Sequence, residues 1–111
     1  MSSRSTRVLV EDMLDAIQQI QSYTTGMDND SFTKDRKTQD AVVRNLEIIG
    51  EAVKELVRLE PNLKISSSRK IISFRNLLAH SYDSVEDELV WGILQKDIPT
   101  LRLEIETILK A

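Results

Sequence analysis

Apolar residues recur at intervals of three and four positions along nearly the whole chain, which is the spacing of amphipathic helices. The pattern predicts a first helix over residues 7–23. A glycine and an Asp-Asn-Asp run within residues 26–30 end that helix and are interpreted as a turn. A second helix is predicted over residues 35–60, and Pro61 ends it, because proline is poorly tolerated in a helix interior.

The second half of the chain has the same period. Residues 66–68 are three serines suited to capping a third helix. Ser84 and Asp87 resemble the capping box of a fourth helix. Asp97 has the position of an N-cap for a last helix, with Pro99 in its first turn. Since no alternating strand pattern occurs, we predict an all-α fold, an up-and-down helical bundle of four long helices plus a short one, as a single domain over residues 1–111.

Composition narrows the chemistry that such a domain can perform. The chain has no cysteine and one histidine, which argues against a disulfide framework, a thiol nucleophile and a histidine-rich metal site. We therefore expect no metal and no cofactor. No apolar run approaches the roughly 20 residues that cross a bilayer, so we expect no membrane association and a cytoplasmic location.

Charge is unevenly distributed within a net charge of −3. Residues 34–75 hold ten Lys or Arg against six Asp or Glu, whereas residues 76–111 hold three against seven. A basic middle segment of this kind can hold phosphates, or it can be part of an ordinary solvated surface. Within it, Arg69 and Lys70 are the candidates for binding phosphate groups.

The single histidine, His80, lies in a polar stripe of the third predicted helix. At 100° per residue, this stripe spans about 60° of the helix surface, and it contains Arg69, Ser73, Asn76 and His80. Asn76 precedes His80 by four residues, so its amide is placed to orient the imidazole, with Ser73 in support. Arg75 is about 140° away from His80 on an ideal helix, so the two would converge only at a frayed helix end or across a dimer.

A structural interpretation of these residues is also open. In that interpretation His80 is a structural residue near a helix end, with its imidazole hydrogen-bonded within the protein. Arg75 then forms an ion pair with an acidic residue of a neighbouring helix. Glu47 and Glu51, on the charged face of the second helix, are expected to pair with Arg44 and Lys54. Gly50 costs that helix about 1 kcal/mol relative to alanine, which indicates the close approach of another helix.

The spacing of Arg75, His80 and Tyr82 resembles the Arg-x4-His-x-Tyr motif of the HepT-like toxins of the HEPN superfamily, whose pattern also has a polar residue after the arginine, as Asn76 is here. The segment Arg44-Asn-Leu-Glu-Ile-Ile-Gly-Glu-Ala52 resembles the second helix of that family. The segment from Trp91 to Leu101 resembles its C-terminal part. The resemblance thus covers nearly the whole chain.

The resemblance implies a toxin of a type VII HEPN/MNT toxin–antitoxin system that cleaves RNA without a metal, through attack of the RNA 2′-hydroxyl on the adjacent phosphate. Arg75 and His80 are then the catalytic residues. It also implies a partner, an MNT-type minimal nucleotidyltransferase antitoxin, which neutralises the toxin by transferring AMP to Tyr82. The alternative is a non-catalytic subunit that binds nucleotide or substrate for that nucleotidyltransferase.

One histidine per chain is one too few if the reaction needs a separate acid and base. A two-fold dimer would bring two copies of Arg75 and His80 around one cleft. We therefore expect a homodimer.

Overall fold

A computed structural model describes residues 4–81 and 87–110, which form five helices and, within those ranges, no strand. Four helices are long and one is short, so the predicted all-α bundle is confirmed. The helices are α1 (Arg4–Tyr23), α2 (Asn29–Thr33), α3 (Arg36–Leu59), α4 (Ser68–Ser81) and α5 (Asp87–Lys110).

The core lies between α1, α3 and α5, with α2 closing one side. Each long helix buries the apolar stripe seen in the sequence, since side chains three and four apart share a face. Phe32 of α2 is fully buried, and its ring centroid is 5.3 Å from that of Trp91 on α5. The largest fully buried side chains of α1, α3 and α5 are, in that order, Val10, Met13, Ile17 and Ile20, then Val42, Ile49, Val53 and Leu56, and finally Ile98, Leu101 and Ile105.

The start of α3 is fixed by an aspartate at the first position of the predicted helix, which caps it. Asp35 accepts hydrogen bonds from the backbone nitrogen of Thr38 at 3.0 Å and from its hydroxyl at 2.8 Å. These two bonds, the backbone one above all, lower the pKa of Asp35, because they favour the charged carboxylate. α3 ends at Leu59, directly before Glu60 and Pro61.

The turn predicted over residues 26–30 is partly helical. Asp28 caps α2 through a reciprocal pair of bonds with Ser31, in which each side chain accepts from the other residue's backbone nitrogen. The backbone bond and the hydroxyl of Ser31 lower the pKa of Asp28. Within this turn Gly26, with φ at 77°, has the left-handed conformation that glycine adopts without strain.

The prediction of a separate last helix beginning at Asp97 is wrong. α5 is one helix from Asp87 to Lys110, and Pro99 lies inside it. Pro99 is exposed, while the buried stripe continues on either side through Ile98 and Leu101. A proline there leaves one carbonyl without its helical partner, but burial of the stripe outweighs that cost.

α4 packs mainly against α3. An ion pair and a hydrogen bond connect α4 and the residues just before it to α5. The Lys70 ammonium lies 2.9 Å from the carboxylate of Asp97, which is almost wholly buried. The backbone nitrogen of Ser66, just before α4, donates to the Glu104 carboxylate at 3.0 Å. Asp97 therefore holds α4 against α5, which is a different role from the predicted helix cap.

Two sequence predictions concern residues that lie outside the described ranges. The Ser84–Asp87 capping box and Tyr82 lie outside the described residues, apart from Asp87, the first residue of α5.

Of the helices described, none combines the length and the apolar character that a membrane span requires.

Candidate functional site

Arg75 lies in an open groove of about 500 Å³ between α1, α3 and α4. Its side chain is 27% exposed, so most of it is packed against the protein while its polar end reaches the groove. Ile48 and Ala52 of α3 and Leu9 of α1 supply the apolar part of the lining. The polar lining residues are Asp12, Arg44, Glu47, Glu51, Glu55 and Arg75.

The guanidinium of Arg75 is held by two neighbours. Its Nη2 lies 2.7 Å from Oε2 of Glu51 on α3. Its Nη1 donates to Oδ1 of Asn76 at 3.3 Å. Arg75 therefore has the inter-helix ion pair that the structural interpretation of the sequence anticipated, and the partner is Glu51, which had been expected to pair along its own helix.

The stem of Arg75 rests on Gly50. A Cβ atom built on Gly50 would lie 2.2 Å from Cβ and 2.6 Å from Cγ of Arg75, closer than real side chains approach. The predicted close approach of a second helix at Gly50 is thus confirmed, and the approaching helix is α4. Gly50 and Glu51 together fix both ends of the Arg75 side chain from α3.

No sequence pattern directly indicates Glu51 as the partner of Arg75. Periodicity assigns residues to faces of one helix but does not say which helices meet. A glycine inside a long helix, followed at once by an acidic residue, was the available signal, because it marks a crossing point with a charge beside it.

The groove carries more negative than positive charge. Four carboxylates and two guanidinium groups line it. In addition, half of the ten basic residues of the segment 34–75 are in ion pairs, so that segment does not form one uncompensated basic patch. The paired cations are Lys34, Arg36, Arg58, Lys70 and Arg75.

The other predicted site residues on α4 divide into two groups. Ser73, Asn76 and Arg69 are exposed. Lys70 is also exposed in part, but its ammonium is bound to Asp97. Of these residues, only Asn76 contacts Arg75 among the interactions of the described chain.

His80 lies in the last turn of α4, and its side chain is outside what the structure describes, as is the whole of Tyr82. The backbone alone is informative, since α4 is helical through Ser81. Positions 75 and 80 therefore lie on one continuous helix, about 140° apart around its axis.

Comparison with known proteins agrees with the motif resemblance. The family model of ribonuclease HepT-like proteins matches residues 13–108. A protein of Thermococcus cleftensis named a probable ribonuclease HepT is 36% identical, over 96% of this chain and 98% of its own length. A candidate RNase of Methanocaldococcus jannaschii, MJ0127, is 35% identical, over 99% of this chain and 92% of its own.

A third relative is a candidate RNase of Caldanaerobacter subterraneus subsp. tengcongensis, TTE0752, which is 32% identical over 96% of both chains. No solved structure shows a significant match. The family match includes α3, α4 and most of α5, and with them Gly50, Glu51 and Arg75. The chain belongs to the ribonuclease HepT-like family of the HEPN superfamily.

Proposed function

We propose that the protein is a metal-independent endoribonuclease in which Arg75 and His80 are the catalytic residues. The observation that carries the proposal is the match of the ribonuclease family over residues 13–108, together with an arginine whose guanidinium reaches an open groove at the first position of the motif.

The proposed reaction is transesterification within the RNA. The 2′-oxygen attacks the adjacent phosphorus, the bond from phosphorus to the 5′-oxygen breaks, and the products are a 2′,3′-cyclic phosphate and a 5′-hydroxyl. An imidazole with an ordinary pKa near 6.5 exchanges protons readily at neutral pH, which suits His80 to proton transfer at the attacking or leaving oxygen. The planar guanidinium of Arg75 matches phosphate oxygens and stabilises the charge that develops on them.

A homodimer supports this chemistry better than a single chain does. Positions 75 and 80 lie about 140° apart around one helix, so an arginine and a histidine that act on one phosphate are more easily supplied by two chains. A two-fold axis near α4 would also supply a second histidine. We expect the sedimentation mass of a dimer, and specific activity that falls as dilution dissociates it. A monomer with full activity would contradict the dimeric site.

The surrounding residues of α4 have supporting roles in the proposal. Asn76 and Ser73 orient the catalytic groups, and Asn76 already accepts a hydrogen bond from Arg75. Arg69 is exposed and suited to bind an RNA phosphate. Lys70 can bind an RNA phosphate only when its ammonium group breaks the ion pair with Asp97.

We further propose that the protein is the toxin of an HEPN/MNT pair in the cytoplasm. The cognate nucleotidyltransferase would transfer AMP from a nucleoside triphosphate to the Tyr82 hydroxyl, with release of pyrophosphate. The added phosphodiester and nucleoside, two residues from His80, would obstruct the RNA by bulk and by charge. Tyr82→Phe should cleave RNA and gain no mass of AMP with the nucleotidyltransferase. A mass gain in Tyr82→Phe equal to that of the wild type would identify another acceptor.

The test of the activity uses purified protein, a defined RNA and excess EDTA. Wild type should cleave, while Arg75→Ala and His80→Ala should not. Arg75→Lys keeps the charge and lacks the planar fork, so we expect it to remain strongly impaired. Equal Tm values for the variants would show that they fold. Absence of cleavage by the folded wild type would favour the non-catalytic nucleotide- or substrate-binding subunit.

A further inference from the structure

Glu51 contacts Arg75 in a way that folding alone does not require. The Glu51 side chain is 56% exposed, and an ion pair that faces solvent to this extent contributes little to stability. Burial of Leu78 and of the apolar side chains around it already packs α4 against the core of the bundle. The contact therefore matters chiefly for where it holds the guanidinium.

The geometry at Arg75 restrains the side chain at both ends. Gly50 sets the position of Cβ and Cγ, which have no room to move toward α3. The next residue, Glu51, binds Nη2 at 2.7 Å, and Asn76 accepts from Nη1 at 3.3 Å. An arginine side chain otherwise loses rotamer entropy when it is immobilised for a reaction. Here the contacts with Gly50, Glu51 and Asn76 already order the side chain in the folded protein, so much of that entropy is lost before RNA binds.

The contacts leave the guanidinium able to bind phosphate. A guanidinium has five N–H donors, so the bonds to Glu51 and Asn76 do not exhaust them. A carboxylate in the groove also repels an approaching phosphate, which would make Glu51 harmful if its only effect were electrostatic. If Glu51 orients Arg75, removing Glu51 should slow RNA cleavage. If Glu51 only repels phosphate, removing it should speed cleavage.

We propose that Glu51 is a positioning residue for RNA cleavage, which holds the Arg75 guanidinium in the orientation that the transition state requires. The inference rests on the proposed ribonuclease activity. Since the extra charge on phosphorus oxygens develops in the transition state, loss of the orientation lowers kcat more than it changes KM.

The test is steady-state RNA cleavage by Glu51→Ala, Glu51→Gln and the control Glu47→Gln. Misplacement of a catalytic group by about 1 Å costs up to about 100-fold in rate, so we expect Glu51→Ala to lower kcat by about 10- to 100-fold with KM within about twofold. Glu51→Gln keeps an oxygen that accepts a hydrogen bond and should lose less. Glu47 lines the same groove one turn earlier, so Glu47→Gln removes a nearby repulsive charge without removing the partner of Arg75, and it should not lower kcat.

A second measurement separates positioning from general damage and does not depend on cleavage. In ¹⁵N relaxation, the Nε of Arg75 should be ordered in the wild type and in Glu47→Gln, and mobile in Glu51→Ala. Failure of the wild type to cleave refutes the ribonuclease proposal and, with it, the role of Glu51. A wild type that cleaves, with kcat unchanged or raised in Glu51→Ala, or an Arg75 Nε equally ordered without Glu51, refutes the positioning role alone.

Discussion

Replacing Gly50 by alanine places a methyl group where α3 meets Arg75. The new Cβ would lie 2.2 Å from Cβ of Arg75, about 1.2 Å short of the 3.4 Å at which ordinary contact begins. The obstructing atoms are at the base of the side chain, so a rotamer change of Arg75 does not relieve the clash. α4 must therefore move away from α3 by about 1 Å, the distance that the overlap sets.

Two opposing contributions determine the stability of Gly50→Ala. Alanine is better than glycine in a helix interior by about 1 kcal/mol, while overpacking costs about 1–3 kcal/mol. The net change is a loss of about 0–2 kcal/mol, with a Tm lower by roughly 5 °C for each kcal/mol lost. Cleavage should fall much further, by up to about 100-fold, because Arg75 moves with α4.

Gly92 provides the matched control, because it is also inside a helix. In the described part of the chain, a Cβ built on Gly92 meets no atom within 4 Å apart from its chain neighbours and the backbone of its own helix. Gly92→Ala should therefore raise stability by about 0.4–1 kcal/mol and leave cleavage unchanged. Differential scanning calorimetry and a cleavage assay on both variants test the reasoning. If Gly50→Ala is stabilised as much as Gly92→Ala and cleaves normally, the close contact at Arg75 is refuted.

Three further predictions concern the scaffold. Folding lowers the pKa of Asp35, so its charged carboxylate stabilises the protein above the ordinary pKa of 3.8, and that contribution disappears as pH falls through the lower pKa of the folded state. The Tm difference between wild type and Asp35→Asn should therefore narrow below about pH 4. A difference that stays constant with pH would contradict the capping role of Asp35. Pro99→Ala restores a helical hydrogen bond on an exposed face and should stabilise the protein by about 1–3 kcal/mol in urea titration, whereas a loss of stability would argue against one continuous α5. Lys70→Gln leaves the buried Asp97 unpaired and should lower Tm, while Arg69→Gln should leave Tm unchanged and weaken RNA binding in a salt-dependent way; equal Tm values for the two variants would contradict the structural role of Lys70.

The sequence predicts α3 well, because every local signal there agrees with the tertiary structure. The apolar stripe and the stop at Pro61 coincide with the observed bounds, and Asp35, the first predicted residue, caps the helix. α5 shows the opposite case, since Asp97 followed by Ile-Pro has the form of a helix start. Asp97 instead has a long-range partner in Lys70, and a proline on the exposed face is tolerated because the buried stripe runs on past it.

The candidate site was predictable to the extent that it is local in sequence. The motif residues Arg75 and His80 follow from their spacing and from the family they resemble, while the close approach at Gly50 follows from a glycine in a long helix. The pairing of Glu51 with Arg75 was not predictable from periodicity, which does not specify which helices pack together; the glycine just before Glu51 was the one local signal. Without that pairing, Glu51 is one of several acidic residues on a charged face.

Cleavage chemistry tests the central proposal most directly, since attack by the 2′-hydroxyl requires that hydroxyl at the scissile nucleotide. An RNA whose cleavage position has been mapped should be compared, in excess EDTA, with the same RNA carrying one 2′-deoxynucleotide immediately 5′ of that position. We predict that the unmodified RNA yields a 2′,3′-cyclic phosphate and a 5′-hydroxyl, and that the substituted RNA is not cut there. Cleavage of the substituted RNA at the same position and rate would contradict the proposed mechanism.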